Sequence, residues 1–211
     1  MAKSLSPDSS NNVVSLDEFA RDIPYWYGEY TRSKYFKGDQ QLRARIQLKV
    51  KQNGCLESED LAAIAVWGGN QHGIKQRLEE HNTEDDVRAI TGKAFRNLGK
   101  PEKAIAVILE LNHWGLTYGS KTLMFMNPQE YVALDQRIRA SLKQVLPSIR
   151  DGDRASMVRG YVKFLGICQN LKSAVKEPRP VLKGEWLLAD VQAAVFQFSL
   201  PREPGVFSAA K

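Results

Sequence analysis

Hydrophobic residues recur along most of the chain at intervals of three and four residues. Leu42, Ile46 and Val50 follow this spacing, and the run 61–67 is apolar on nearly every side. No segment alternates apolar and polar residues over the length of a strand. The pattern therefore predicts an all-α fold of about nine or ten helices.

Capping residues and prolines place several helix boundaries. A capping box that begins at Ser15 predicts a helix near the N-terminus, which we expect to be interrupted near Pro24. Thr83 and Asp86 repeat the capping signal, and Pro101 fits the first position of another helix. Each of these helices has room for an apolar face directed at a common core.

Polar and aromatic residues modify this picture at three places. Arg43 and Arg45 lie on the face of a predicted helix (39–52) opposite its apolar residues, and we expect that face to be solvated. The aromatic residues between Tyr25 and Phe36 are expected to pack between the N-terminal and C-terminal helices, with stacking on a ligand as the alternative. Asp190 stands in a strongly apolar stretch without an evident partner.

The stretch 111–135 carries the candidate chemistry. A glycine-bearing turn from Gly115 to Gly119 is predicted to lead into a helix that opens at Lys121, and Asp135 is predicted to cap a later helix. A lysine in the first turn faces the positive end of the helix dipole, which favours its neutral form. A neutral lysine amine is a nucleophile that can form a Schiff base. Asp135 is favoured as an anion at the start of its helix.

This stretch resembles the helix-hairpin-helix superfamily of DNA glycosylases, which includes oxoguanine and thymine-glycol glycosylases. Those enzymes carry a hairpin of the form L-x-G-V-G-x-K, a helix, and then V-D-x-H, and residues 116–121 and 132–137 match the two pieces. Thr117 stands where the family has its first hairpin glycine, and Arg137 stands where it has histidine. The interval from Lys121 to Asp135 is 135 − 121 = 14 residues, about one helical turn shorter than in better-known members.

The resemblance implies a bifunctional enzyme of base-excision DNA repair, a glycosylase with abasic-site lyase activity. Lys121 would be the nucleophile and Asp135 would stabilise positive charge on the sugar. The implied partner is double-stranded DNA with a damaged or modified base, oxoguanine being the first expectation. The hairpin would hold a DNA phosphate, with a monovalent cation and no other cofactor. Residues implied in DNA binding are Gly115, Thr117, Gly119 and Arg137.

The resemblance also implies two helical subdomains with a helix-hairpin-helix motif and an active site in the cleft between them. The expected divisions are a disordered leader (1–13), N-terminal helices that join the C-terminal subdomain (14–56), a central helical subdomain (57–136), C-terminal helices (137–200) and a tail (201–211).

Composition supports an anionic partner. The 211 residues have a formal net charge of +6 and a pI of about 9.3, which favours a polyanion. Cys55 and Cys168 are too few for a disulfide framework, and lone histidines predict no metal site. Without a signal peptide or an apolar run long enough to span a membrane, we expect an intracellular, cytoplasmic protein with no membrane partner. The expected oligomeric state is a monomer.

Two other functions fit the same residues. A helical protein that keeps the fold without the chemistry would bind DNA and lack lyase activity. A protein-interaction scaffold would bind DNA weakly and without the steep salt dependence of a protein that neutralises several phosphates.

Overall fold

A computed structural model describes residues 16–181 and 184–200 of the chain. Within these ranges the backbone forms helices and no strand, so the predicted all-α class is confirmed. The predictions for Ser15, for the disordered leader (1–13) and for the tail (201–211) lie outside the described residues. The helices are α1 (Leu16–Arg32), α2 (Lys34–Asn53), α3 (Ser58–Trp67), α4 (Ile74–His81), α5 (Glu84–Arg96), α6 (Pro101–Ile108), α7 (Gly115–Met126), α8 (Gln136–Ser141), α9 (Arg154–Ala174) and α10 (Leu188–Phe198), with a 3₁₀ turn at Gln71–Gly73.

The first and last described helices pack against each other, and α9 packs against both. Aromatic rings fill the contact: the Phe198 ring lies 4.8 Å from the Phe19 ring and 5.5 Å from the Trp26 ring, measured between centroids. Tyr27 contacts Trp186 at 5.3 Å in the same way. The prediction that the N-terminal aromatic residues pack between the two ends of the chain is confirmed for Trp26 and Tyr27, whereas Tyr25 is exposed.

Helix α1 runs without a break through Pro24, so the predicted interruption is wrong. Proline removes one backbone hydrogen bond from the helix. In α1 this loss is offset by burial, because Phe19, Ile23 and Tyr27 on both sides of the proline are almost completely buried.

Helices α3 to α7 hold the middle of the chain. Thr83 and Asp86 form the predicted capping box: the Thr83 hydroxyl accepts from the Asp86 N–H at 3.1 Å, and the Asp86 carboxylate accepts from the Thr83 N–H at 3.0 Å. Pro101 is the first residue of α6, as predicted. Trp114 is completely buried and donates its indole N–H to the Thr122 hydroxyl at 3.0 Å, which anchors the turn before α7.

The hairpin between α6 and α7 differs from the prediction. Helix α7 begins at Gly115 instead of Lys121, because the chain reverses earlier. His113 and Gly115 have positive φ angles of 60° and 52°, a region that glycine enters at no steric cost. No helix in the two described ranges is long and apolar enough to cross a membrane.

Candidate active site

A cavity of about 310 Å³ lies where α2, α3, α7 and α10 meet, beside the start of α8. This volume is at the lower end of the range for small-molecule sites. Lys121 and Asp135 both line it, together with Thr117 and Arg137. The structure therefore brings four of the six residues that the resemblance implied to one cavity. Aromatic side chains form much of the remaining wall: Tyr30, Tyr35, Trp67 and Phe196.

Lys121 is the seventh of the twelve residues of α7, not a residue of its first turn. The dipole argument for its neutral form is therefore wrong, since the dipole acts mainly at the terminal turn. Burial takes its place: only 7% of Lys121 is exposed, and burial is the main cause that lowers the pKa of its amine. Asp135 opposes this pKa shift and Arg137 adds to it.

The Lys121 ammonium makes no ion pair and no hydrogen bond with any described residue. Its Nζ instead lies 5.5 Å from the centroid of the Trp67 ring and 5.0 Å from that of the Tyr118 ring. Both distances fit a cation that rests against an aromatic face. A buried amine held this way is free to react with a group that enters the cavity.

Asp135 reaches the cavity because the segment before it is fixed to α7. The Leu134 N–H donates to the Ser120 hydroxyl at 2.9 Å, next to Lys121 in sequence. The Val132 carbonyl accepts from the Tyr161 hydroxyl at 3.2 Å. Asp135 is the predicted N-cap of α8, and its Oδ1 accepts from the Ile138 N–H at 2.9 Å. One carboxylate oxygen is thus occupied by capping, and the residue remains half-buried at the cavity.

The hairpin glycines have different roles from those predicted. Gly119 lies inside α7 and is not a turn residue; a Cβ placed there would lie 3.1 Å from Ile108 Cγ2, so this glycine lets α7 pack closely on α6. Gly115 supplies the positive φ angle. Thr117 lies inside α7, so its backbone does not adopt the left-handed conformation that a turn residue would need. Its side chain lines the cavity.

Arg137 follows the Asp135 cap by two residues and lies exposed at the cavity. No ion pair joins it to any carboxylate of the described ranges. Its guanidinium is therefore free to contact an anion at the opening of the cavity.

Asp39 and Arg43, which also line the cavity, belong to a network of four charges with Asp190 and Arg179. Arg43 binds Asp39 through two contacts of 2.8 Å and binds Asp190 at 2.9 Å. Arg179 contacts the second oxygen of Asp190 at 2.6 Å. Burial acts to lower the pKa of the Arg43 guanidinium. The charges of Asp39 and Asp190 outweigh this effect, so the pKa lies above its ordinary value. Burial raises the pKa of Asp39 although Arg43 opposes that shift.

The sequence reasoning missed this network. Arg43 was expected on a solvated face of α2, yet it is only 5% exposed. Two signals were present: Asp39 and Arg43 stand four residues apart on one helix, and Asp190 is a lone acid in an apolar helix. An acid in such a place requires a buried cation.

The aromatic stretch between Tyr25 and Phe36 also contributes side chains to the cavity lining. Tyr30 and Tyr35 line it, although Tyr27 and Trp26 pack in the core. Gln192, on α10, adds a buried amide to the lining. Within the described ranges, His, Cys, Asp and Glu residues form no group of three or more that could hold a metal ion.

Comparison of the chain with protein-family models, with curated proteins and with solved structures finds no match.

Proposed function

We propose that the protein is a DNA glycosylase with abasic-site lyase activity, which acts on double-stranded DNA carrying a damaged or modified base. The observation that carries the proposal is a buried lysine amine without an ion partner, which lines one cavity with a carboxylate fourteen residues later. Lysines are rarely buried without a partner, so such an amine is a functional candidate.

The proposal includes a finer description of the fold. The α6–α7 hairpin would be the helix-hairpin-helix motif, and its backbone N–H groups would hold a DNA phosphate, with a monovalent cation as the implied additional ligand. Residues 57–136 would form one subdomain and the two ends of the chain the other. The cavity would then be the cleft that receives a nucleotide extruded from the duplex.

The chemical step would begin with the neutral amine of Lys121. Its Nζ attacks C1′ of the deoxyribose, the bond from C1′ to the base nitrogen breaks, and the base leaves with the electron pair and takes up a proton. The attacking amine gives up a proton to solvent, and the C1′–O4′ bond then breaks with its electron pair going to O4′, which takes up a proton, so that a protonated imine joins C1′ to Nζ. Loss of a proton from C2′ then allows the C3′–O bond to break, with the electron pair departing on the phosphate. Asp135 would stabilise the positive charge that develops on the sugar.

The aromatic and basic features fit this substrate. A flipped base needs a π-face to stack on, and Tyr30, Tyr35 and Trp67 line the cavity. Arg137 lies exposed beside it, where a strand phosphate would be held. The net charge of +6 favours association with a polyanion.

Borohydride trapping tests the proposal. Duplexes with oxoguanine, uracil, thymine glycol or an abasic site are incubated with the protein, and the reduced imine is detected as a covalent complex. We expect trapping on at least one duplex and complete loss of it in Lys121→Ala, because the imine nitrogen is then absent. Lys163→Ala is the matched control, since Lys163 is an exposed lysine of α9.

No trapping on any duplex would refute the lysine mechanism. Tight, salt-dependent binding in that case would favour the non-catalytic DNA-binding protein. Weak binding that salt does not change would favour the protein-interaction scaffold.

A further inference from the structure

Three residues that take no part in the proposed bond-making steps surround the Lys121 amine. Trp67 is the last residue of α3, Gly68 caps the same helix, and Tyr118 precedes Lys121 by three residues on α7. No described residue forms an ion pair or a hydrogen bond with the ammonium, and its Nζ lies 5.5 Å from the centroid of the Trp67 ring and 5.0 Å from that of the Tyr118 ring.

Gly68 is required for space and not for its backbone conformation. Its φ angle of −75° is open to any residue. A Cβ at this position, however, would lie 2.8 Å from Lys121 Nζ and 2.9 Å from Tyr118 Cε1. Any other residue at position 68 would therefore displace the amine or the ring. The amine also lies beside the carboxyl end of α3, where the helix dipole favours a cation.

Both rings are held in place by contacts of their own. The Trp67 ring packs edge to face against Phe125 at 4.9 Å. The Tyr118 ring packs against Trp114 at 5.2 Å, and its hydroxyl accepts from the Gln71 N–H at 3.1 Å. The rings therefore form a fixed surface against which a flexible lysine side chain is set.

We infer that Trp67 and Tyr118 are positioning residues for the Lys121 amine, and that Gly68 provides the space in which the amine rests against them. The inference rests on the proposed function, because a reactive amine is what needs a fixed position. The rings favour the ammonium through cation–π attraction, whereas burial favours the neutral amine. Their balance sets how much neutral amine is present at a given pH.

Other charged and titratable groups face the same cavity and must be kept constant in a test. They are Asp135 and Arg137 beside α8, Asp39 and Arg43 on α2, and the phenols of Tyr30 and Tyr35. None of them is altered by substitutions at positions 67, 68 or 118.

The test labels the amine of the full chain without DNA. Glycolaldehyde and cyanoborohydride alkylate neutral lysine amines, and peptide mass mapping gives the extent at Lys121 as a function of pH. In Trp67→Leu and Tyr118→Leu we expect the labelling midpoint to fall by roughly half a unit to one unit, because leucine keeps the site apolar and removes the ring face. Trp67→Phe and Tyr118→Phe keep a ring and should restore most of the shift.

Gly68→Ala should change the midpoint in the opposite direction. Its Cβ displaces Nζ from the aromatic faces into the cavity, so burial, the larger influence, is relieved and the midpoint rises toward that of the exposed Lys163. Gly166→Ala on α9 is the matched control, since a Cβ there meets nothing within 4 Å. Thermal unfolding of each variant verifies that the fold is kept.

Two results would overturn the inference: an unchanged midpoint in both leucine variants, or no labelling of Lys121 at any pH. A Gly68→Ala profile identical to that of the wild type would also overturn the role of Gly68. Borohydride trapping on DNA is run in parallel. The expected midpoint shifts without any trapping would support the positioning of the amine and refute the proposed function.

Discussion

Two sets of charged side chains lie at the same cavity or directly behind it, and they differ in how they are satisfied. In the first set, Arg43 and Arg179 bind Asp39 and Asp190 through contacts of 2.6 to 2.9 Å, and Asp39 and Arg43 line the cavity. In the second set, Lys121 is buried to a similar degree, and its amine rests against the Trp67 and Tyr118 rings without an ion pair or hydrogen bond to any described residue. Two carboxylates balance two guanidiniums in the first set, whereas the second holds a single positive charge.

Paired and unpaired buried charges differ in what they contribute to stability and in how reactive they remain. A charge network whose members pair with one another joins α2 to α10 and to the loop that carries Arg179, and its residues have little capacity left for a reaction. A buried charge without a pair destabilises the fold and is retained where its reactivity is useful. The substitutions below alter the Arg43 network, the Asp135 carboxylate or Lys121, and each is compared with a matched control.

Removal of Arg43 should have the largest effect. Arg43→Met leaves Asp39 and Asp190 buried without their shared cation, and breaking a buried pair in this way costs about 3–5 kcal/mol. Urea unfolding should show this loss of unfolding free energy. Arg88→Met, on α5, removes an exposed cation that pairs with Glu84 and Glu57 and should cost much less. Equal losses in the two variants would contradict the structural role of the network.

Loss of the carboxylate at Asp135 should affect catalysis and not folding. Asparagine is as good an N-cap as aspartate, so Asp135→Asn keeps α8. Base release in single turnovers should slow by about 10²- to 10³-fold, the usual effect of removing one electrostatic stabiliser, with DNA affinity nearly unchanged. Asp153→Asn makes the same exchange at the N-cap of α9 and should leave the rate unaltered. A wild-type rate in Asp135→Asn would remove Asp135 from the mechanism.

Part of the fold and part of the candidate site could be predicted from the sequence. The shared location of Lys121 and Asp135 was expected from the resemblance alone. Local signals were sufficient for the helical class and for the caps at Thr83 and Asp135. Such signals depend on residues within a few positions of each other, and a periodic pattern reports them directly. The two subdomains and the role of the α6–α7 hairpin remain predictions.

Long-range contacts were the part that the sequence concealed. Arg43 reads as a solvated residue of α2 because its partner Asp190 is 147 positions away. Pro24 reads as a helix break because the packing that maintains α1 comes from α10. The cause of the lowered pKa of Lys121 was likewise misassigned, since burial by α3 and α7 cannot be seen in the residues adjacent to the lysine.

Removal of the Lys121 charge should change stability less than Arg43→Met does, and in the opposite direction. Lys121→Met replaces a buried cation by an apolar side chain of similar length and should stabilise the fold by about 0.5–2 kcal/mol, as is common when a functional residue is removed from a site. Chemical unfolding at pH 7 measures it. Lys163→Met at the surface of α9 should change stability by less than about 0.5 kcal/mol. Destabilisation in Lys121→Met would mean that the amine has a stabilising partner and would end the contrast with the Arg43 network.

The smallest expected effect is the pH dependence of the stability difference between Lys121→Met and the wild type. The pKa of Lys121 is lowered in the folded state from its ordinary value of 10.5, so between the two pKa values the unfolded chain binds more protons than the folded chain. The free energy of unfolding therefore rises with pH across that interval. The destabilisation caused by the buried Lys121 charge is fully present below the folded pKa. The stability advantage of Lys121→Met over the wild type should accordingly shrink as the pH is raised from 7 toward 10.5. Tyrosines that do not contact Lys121 contribute alike to both proteins and cancel in the comparison. Urea unfolding of the pair at several pH values measures the slope, and an advantage that grows with pH would show that the folded state holds Lys121 as a stabilised ammonium.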